Sequence, residues 1–304
     1  MIDKLIEKII EMQNPTCVGL DTDFGYLPEE MREGVSCFAE AAARITEFNK
    51  NIIDGVCDVA PSVKVQIAYY EMYGHEGVKA FYDTVEYARG KGLVVIADCK
   101  RNDIGSTASC YSKAYLGETA LGGKALRAFP ADMLTVNGYL GTDGIKPFVE
   151  DIVAHDKSIF ALVKTSNPSS GEFQNLKLEN GEYVYERMGA LVEEWGKDTV
   201  GRYGYSEVGA VVGATHPEQA ENLRKRLKNT FFLIPGYGAQ GGNAQMLKVC
   251  FDGRGLGGVV NNSRGIICAY KKPEYAGKNY FEAARAACVA MQRDLASVLG
   301  KMEV

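Results

Sequence analysis

The sequence contains few residues of the kinds that hold a metal ion or build a disulfide framework. Only three histidines occur among the 304 residues, and no two of the eight cysteines are spaced as C-x-x-C. Several cysteines lie inside apolar strand or helix patterns, where free cysteine behaves as a small buried hydrophobe. These features argue against a zinc site and predict a protein of a reducing compartment.

Long apolar runs and basic stripes are also missing. No stretch approaches the ~18–20 apolar residues of a membrane-spanning helix, and segment 1–14 is amphipathic, unlike the apolar core of a signal peptide. The net charge is -5, and the basic run LRKRLK (223–228) is typical of a solvated helix face. The sequence therefore argues against a membrane protein or a nucleic-acid-binding protein, and it predicts a soluble, cytoplasmic one.

Eight short runs rich in β-branched residues are present, separated by segments with helical period. Most runs are continuously apolar, as parallel strands covered on both faces are. They are CVGLD (17–21), SVKVQ (62–66), LVVIADCK (93–100), MLTVN (133–137), IFALVKTS (159–166), VGAVVGAT (208–215), FFLIPGYG (231–238) and GGVVNNSR (257–264). This alternation predicts one (β/α)₈ TIM barrel domain over residues 1–304. A doubly wound open sheet is the alternative, although no G-x-G-x-x-G opens a helix after the first strand.

One segment does not fit the simple alternation. Residues 167–188, NPSSGEFQNLKLENGEYVYERM, follow the fifth predicted strand, and LENGEYVY within them is typical of a hairpin turn. We interpret the segment as an excursion of the loop after strand five, serving either as a partial lid or as an insertion without a role.

Charged residues stand where the first three predicted strands end. Strand one ends in Asp21, strand two carries Lys64, and the third strand runs into ADCKRNDIGSTA, which contains Asp98, Lys100 and Asp103. Catalytic groups of a barrel collect at the carboxyl ends of its strands. On a regular strand Asp98 and Lys100 share a face, because side chains repeat every two residues.

An alternating array of aspartates and lysines favours protonated lysines. Two unit charges about 4 Å apart interact by ~4 kcal/mol at an effective dielectric near 20. A charged lysine in such a pocket suits proton donation to carbon or stabilisation of a developing anion, whereas Schiff-base chemistry needs a neutral lysine. A surface ion-pair cluster is the alternative, but an apolar run leads directly into the charges.

The last two predicted strands end in glycine-rich turns. Strand seven runs into PGYGAQGGN and strand eight into NNSRG. These are the positions where barrels commonly bind phosphate, and Arg264 could pair with a phosphate in bidentate fashion beside the open backbone of Gly265. Tight turns without a ligand are the alternative.

The motifs together resemble one family. ADCKRNDIGST resembles the DxKxxDI signature of the orotidine 5′-phosphate decarboxylase family, and GLD, VKVQ, KTSNP, PGYGAQGG and NNSRGI follow its order and spacing over nearly the whole chain. The chain is similar to the longer branch of that family. The resemblance implies a cofactor-free (β/α)₈ barrel that acts as a homodimer and converts orotidine 5′-phosphate to UMP and CO₂ in de novo pyrimidine synthesis.

The resemblance also implies roles for the charged residues. Lys100 would protonate C6 of the pyrimidine, and Asp98 would lie beside the substrate carboxylate. Lys64 would extend the charged network. Asp103 and Thr107 would come from the neighbouring subunit, Asp103 completing the network and Thr107 helping at the ribose 2′ side.

Further residues would bind the substrate. Asp21 and Lys64 would hold ribose hydroxyls, Ser166 would read the pyrimidine amide edge, and Gln240 and Arg264 would grip the phosphate. The full set of implied substrate-binding residues is Asp21, Ile104, Thr107, Thr165, Ser166, Pro235, Gln240, Gly241, Ser263, Arg264 and Gly265. Gln66, two residues after Lys64, is a mild departure from the family pattern at a position near the ribose.

Two rival functions use a similar barrel. Related sugar-phosphate decarboxylases and aldolases share DxKxxD but hold a magnesium ion partly through a strand-two carboxylate, where this chain has the cation of Lys64. A non-catalytic barrel that binds nucleotide phosphates would be expected to lack the proton donor, yet Lys100 is present.

Overall fold

The computed structural model describes residues 1–238 and 241–303, and eight parallel strands in it form a closed barrel. The strands are β1 (Thr16–Leu20), β2 (Ser62–Gln66), β3 (Val94–Arg101), β4 (Met133–Val136), β5 (Ser158–Lys164), β6 (Val208–Val212), β7 (Phe232–Pro235) and β8 (Gly258–Asn262). Each strand pairs with its sequence neighbour, and β8 pairs with β1 to close the barrel. The (β/α)₈ prediction is confirmed, and the doubly wound alternative is wrong.

Helices lie between the strands and around them. The longer ones are α1 (Ile2–Met12), α2 (Phe38–Val56), α3 (Gly74–Gly90), α4 (Gly105–Tyr115), α5 (Thr142–His155), α6 (Val184–Gly196), α7 (Pro217–Arg226) and α8 (Tyr280–Leu299). Short α-helices span Glu29–Arg32, Ala68–Glu71, Gly171–Gln174, Ala244–Leu247 and Arg264–Ile267. Turns of 3₁₀-helix span Phe24–Tyr26, Gly138–Leu140, Pro168–Ser170, Lys197–Thr199, Lys248–Cys250, Ala269–Lys271 and Pro273–Tyr275. Within the described part of the chain, no helix has the length and apolarity needed to cross a membrane.

The apolar core has two layers. The larger layer lies between the outer faces of the strands and the surrounding helices. The smaller one fills the barrel at the amino ends of the strands, where Leu5 and Ile9 of α1 pack with Val94, Met133 and Val259. The amino end of the barrel is therefore closed by α1 and filled mainly by apolar side chains.

The excursion after β5 is compact, but it is not a hairpin of two strands. Residues 167–188 contain a 3₁₀ turn, the helix Gly171–Gln174 and a single antiparallel bridge between Lys177 and Tyr183. The turn expected in LENGEYVY does form, since Leu178 N–H donates to the carbonyl of Glu182. A second strand does not form after this turn, because α6 begins at Val184, directly after Tyr183.

A different hairpin forms that the sequence analysis did not predict. Strands Thr119–Leu121 and Lys124–Leu126 pair antiparallel between α4 and β4. Gly122 and Gly123 connect them with φ of 56° and 78°, the left-handed backbone that a two-residue hairpin turn requires.

Candidate active site

A cavity of about 490 Å³ opens at the carboxyl ends of the barrel strands. The predicted site residues that line it are Asp21, Lys64, Asp98, Lys100, Thr165, Ser166, Pro235, Ser263 and Arg264. Strand ends from both halves of the barrel therefore contribute to one pocket. The structure thus brings the charged strand ends of β1–β3 and the glycine-rich strand ends of β7 and β8 to the same place.

Four charges of alternating sign form an array on one side of this cavity. The Lys64 ammonium lies 2.7 Å from Asp98 Oδ2 and 3.1 Å from Asp21 Oδ1. The Lys100 ammonium lies 2.7 Å from Asp98 Oδ1. Lys64 and Asp98 are buried, whereas the Lys100 side chain is 44% exposed, so its ammonium faces the open cavity.

The array fixes the charge states of its buried members. Burial alone would lower the pKa of Lys64, but the carboxylates of Asp21 and Asp98 outweigh burial and raise that pKa above its usual value. Burial would raise the pKa of Asp98, but Lys64 and Lys100 lower it well below its usual range. At neutral pH the cavity therefore contains an ionised Asp98 beside a protonated Lys64.

The Asp98 carboxylate receives four hydrogen bonds. Its Oδ2 accepts from Lys64 and from Gln66 Nε2 at 2.9 Å, and its Oδ1 accepts from Lys100 and from Thr135 Oγ1 at 2.8 Å. Gln66, noted in the sequence near the ribose, thus bonds to Asp98. The sequence analysis missed Thr135. Its hydroxyl in the apolar run MLTVN was an available signal, since a buried hydroxyl requires a hydrogen-bond partner.

The backbone that carries Lys100 is irregular. Ala97 pairs with Leu134 and Arg101 with Val136, so residues 98–100 of β3 stand opposite a single residue of β4. Lys100 has a φ of 49°, in the left-handed region that residues with a Cβ seldom adopt. Asp98 and Lys100 do face the same cavity, as expected, but β3 has a bulge between Ala97 and Arg101 and is not a regular strand there.

The end of β1 is held against the end of β8. Ser263 Oγ donates to Asp21 Oδ2 at 2.8 Å, which leaves Asp21 Oδ1 to Lys64. A Cβ on Gly19 would lie 1.9 Å from Ser263 Oγ, so only glycine permits this approach. The motif GLD therefore needs glycine at Gly19, because a side chain there would displace the serine that positions Asp21.

The glycine-rich strand ends surround an exposed cation. Arg264 is exposed at the start of the helix Arg264–Ile267, and within the described residues its guanidinium forms no ion pair with a carboxylate. It lines the main cavity and an adjoining one of about 570 Å³, which Gly238 and Gly265 also line. Gly241 lines neither cavity, and Gln240 lies outside the described residues.

The excursion after β5 braces another wall of the cavity. Gln174 accepts a hydrogen bond from the Thr165 N–H at 3.0 Å and donates to Thr165 Oγ1 at 2.8 Å. The buried Lys164 ammonium donates to Ser170 Oγ at 3.0 Å and to Asn175 Oδ1 at 3.1 Å. The excursion is therefore tied to the strand end that carries Thr165 and Ser166.

The predicted residues Asp103, Ile104 and Thr107 also lie outside the cavity of their own chain. Asp103 accepts a hydrogen bond from the Ile104 N–H, while Ile104 and Thr107 are exposed at the start of α4. A single chain does not bring them to Lys64 or Lys100. In the described ranges, no three His, Cys, Asp or Glu side chains are arranged to hold a metal ion.

Comparison with known proteins gives one consistent result. Residues 17–280 match the model of the orotidine 5′-phosphate decarboxylase / HUMPS family. Orotidine 5′-phosphate decarboxylase of Clostridium acetobutylicum is 43% identical over 98% of this chain and 100% of its own length. That of Caldicellulosiruptor bescii is 45% identical over 94% and 98%. The structure of Leishmania donovani OMP decarboxylase superposes with a TM-score of 0.73 at 26% identity, covering 98% of each chain.

Proposed function

The chain belongs to the orotidine 5′-phosphate decarboxylase / HUMPS family, and we propose that it converts orotidine 5′-phosphate to UMP and CO₂ without a metal ion or cofactor. This reaction is the last step of de novo pyrimidine synthesis. The alternating array of Asp21, Lys64, Asp98 and Lys100 at the ends of three neighbouring strands carries the proposal. The half-exposed side chain of Lys100 places an ammonium at the cavity, where a carbanion can be protonated.

The reaction proceeds by loss of CO₂ and gain of one proton. The bond between C6 and the carboxylate breaks and its electron pair stays on C6, while Lys100 stabilises the developing negative charge. The Lys100 ammonium gives a proton to C6 as, or after, CO₂ leaves, and solvent then reprotonates the amine. Asp98 lies beside the substrate carboxylate and acts either by straining the bound substrate or by holding the two lysines in place.

The rest of the cavity binds the remote parts of the substrate. Asp21 and Lys64 hold ribose hydroxyls, Ser166 reads the amide edge of the pyrimidine, and Arg264 with Gln240 binds the phosphate. The remaining proposed contacts come from Ile104, Thr165, Pro235, Gly241, Ser263 and Gly265. Binding energy from the phosphate can keep the site closed and dry, and so lower the barrier at C6.

Two features support the metal-free reaction and a shared site. The strand-two position that a magnesium-dependent relative fills with a carboxylate is the buried cation Lys64. Asp103 and Thr107 follow the carboxyl end of β3 and lie outside their own cavity, as residues that complete a neighbour's site in a homodimer would. We also propose that residues 1–304 form one domain and that the protein is cytoplasmic.

An absorbance assay with orotidine 5′-phosphate in excess EDTA tests the proposed activity. We expect steady conversion to UMP at a rate that EDTA does not change. Absence of decarboxylation by folded protein would contradict the proposal. Turnover of a sugar phosphate that requires added magnesium would instead support the rival function.

A further inference from the structure

We propose that Thr135 is a positioning residue of this active site, whose hydroxyl ties the backbone of Lys100 to the carboxylate of Asp98 and so aims the proton-donating ammonium. The inference rests on the proposed function, because it assigns Thr135 a role in proton delivery by Lys100. Among the residues that the structure describes, no other side chain bonds to both the backbone of Lys100 and the carboxylate of Asp98.

The hydrogen bonds of the Thr135 hydroxyl have a defined direction. The hydroxyl has a single proton, which it donates to Asp98 Oδ1 at 2.8 Å. Its oxygen accepts the backbone N–H of Lys100 at 2.9 Å. Thr135 is buried, so water does not replace either bond readily. A side chain without a hydroxyl would leave both Asp98 Oδ1 and the Lys100 N–H short of one partner.

The bulge in β3 gives a structural reason for a bridge by the Thr135 hydroxyl between the Lys100 backbone and Asp98. Residues 98–100 stand opposite Thr135 alone, and Lys100 has a φ of 49°. Backbone in a sparsely populated conformation persists only where surrounding groups determine it, and such backbone clusters at functional sites. The Thr135 hydroxyl holds the backbone of Lys100 in this conformation, and Thr135 itself lies on β4, a fully buried strand.

The bridge matters because the Lys100 side chain is long and only partly enclosed. The side chain is 44% exposed, and its ammonium donates to Asp98 Oδ1, the same oxygen to which Thr135 donates. Fixing the backbone nitrogen and that carboxylate oxygen fixes both ends of the lysine. A displacement of about 1 Å at a reacting group can reduce the rate by about a hundredfold.

Substitution of Thr135 by valine and by serine tests the proposal. Valine keeps the shape and removes the hydroxyl, so for Thr135→Val we expect kcat for orotidine 5′-phosphate to fall by about thirtyfold or more, with KM and the Kd of UMP within about threefold. Serine keeps the hydroxyl, so Thr135→Ser is expected to recover kcat to within about fivefold of the unsubstituted protein. A role in packing alone would not separate kcat from KM in this way.

Thr16→Val provides the matched control. Thr16 is a buried threonine on β1, and its hydroxyl has no hydrogen-bond partner among the residues described. We expect this variant to keep full activity. UMP binding and thermal unfolding show whether Thr135→Val is folded, and if it is not, Thr135→Ala is judged by the same kinetic criteria.

The outcomes separate this inference from the function on which it rests. If the unsubstituted protein does not decarboxylate orotidine 5′-phosphate, the proposed function fails. If it does, but Thr135→Val keeps kcat within about threefold, or serine is no better than valine, the positioning role of Thr135 is overturned.

Discussion

Asp98 is the residue on which the geometry of the site converges. Its two oxygens accept from two lysines, a glutamine and a threonine, so each oxygen has one charged and one neutral donor. This saturation keeps the carboxylate in one orientation between Lys64 and Lys100. Removing one member of a buried charge network costs more than the net value of the contact, because the remaining charge loses its compensation.

Asp98→Asn is therefore expected to damage both catalysis and stability. The amide offers one acceptor oxygen to four donors and leaves the buried Lys64 with Asp21 as its carboxylate partner. We expect kcat to fall by about a hundredfold or more and the melting temperature to fall, measured by steady-state assay and thermal unfolding. Asp83→Asn, which breaks the surface pair with Lys79, is the control and should change neither by much. An active, equally stable Asp98→Asn variant would contradict the role of the carboxylate.

His216 is expected to make stability depend on pH. Burial, followed by repulsion from Lys164, lowers the pKa of His216 below its usual value. Below about pH 6.5, the usual value for histidine, the unfolded chain therefore takes up this proton before the folded one does. Stability linked to His216 is complete above that pH and is lost as pH falls through the lower, folded-state pKa.

Urea unfolding of the unsubstituted protein and of His216→Gln measures this effect. As the pH is lowered from 7.5 to 5, the unsubstituted protein should lose stability relative to the variant. A difference between the two that stays constant over this range would show that the titration of His216 is not linked to folding.

At the scale of elements, the sequence reveals the strands more clearly than their irregularities. The eight barrel strands were predicted because parallel strands covered on both faces are continuously apolar. The bulge at Lys100 was not predicted, because a regular period of two was assumed. In the structure, three residues of β3 stand opposite one residue of β4. The site residues Asn261 and Asn262 were also missed, although their place in NNSRG, directly before Arg264, was an available signal.

The excursion after β5 is expected to act through Lys164. This lysine is buried, and within the described residues it has hydroxyl and amide partners but no carboxylate in ion-pair range. Lys164→Met should release Ser170 and Asn175 and loosen the strand end that carries Ser166. We expect KM to rise by about five- to tenfold with a smaller change in kcat.

The stability of this variant gives an independent readout. Because burial lowers the pKa of Lys164, replacing the amine by methionine removes a desolvated polar group, and the melting temperature should stay constant or rise. Lys146→Met, on the exposed side of α5, is the control and should leave KM unchanged. A normal KM for Lys164→Met would show that the excursion does not contribute to substrate binding through Lys164.

At the scale of the whole molecule, the barrel has a closed and an open end. The apolar face of α1 fills the amino end, and the charged array lies at the carboxyl end, so the cavity is reached from one side. Asp103 and Thr107 follow the carboxyl end of β3 and do not line the cavity of their own chain. The assignment of both residues to a partner's site remains a prediction.

Mixing two inactive variants tests the shared site. In a dimer of Asp98→Ala and Asp103→Ala chains, one site lacks both carboxylates and the other is complete. With equal mixing and full exchange, about half of the dimers are mixed, and each of these has one complete site of two. The mixture should therefore have about a quarter of the activity of the unsubstituted protein at the same total concentration. If verified mixed dimers remain inactive, Asp103 acts within its own chain.

The central claim is that Lys100 supplies the proton in a metal-free decarboxylation, and Lys100→Ala tests it most directly. The measurement is the rate of UMP formation from orotidine 5′-phosphate in excess EDTA, together with the Kd of UMP for the same preparation. We expect UMP to bind while turnover falls by about a thousandfold or more. A Lys100→Ala variant that binds UMP and keeps most of its activity would contradict the claim.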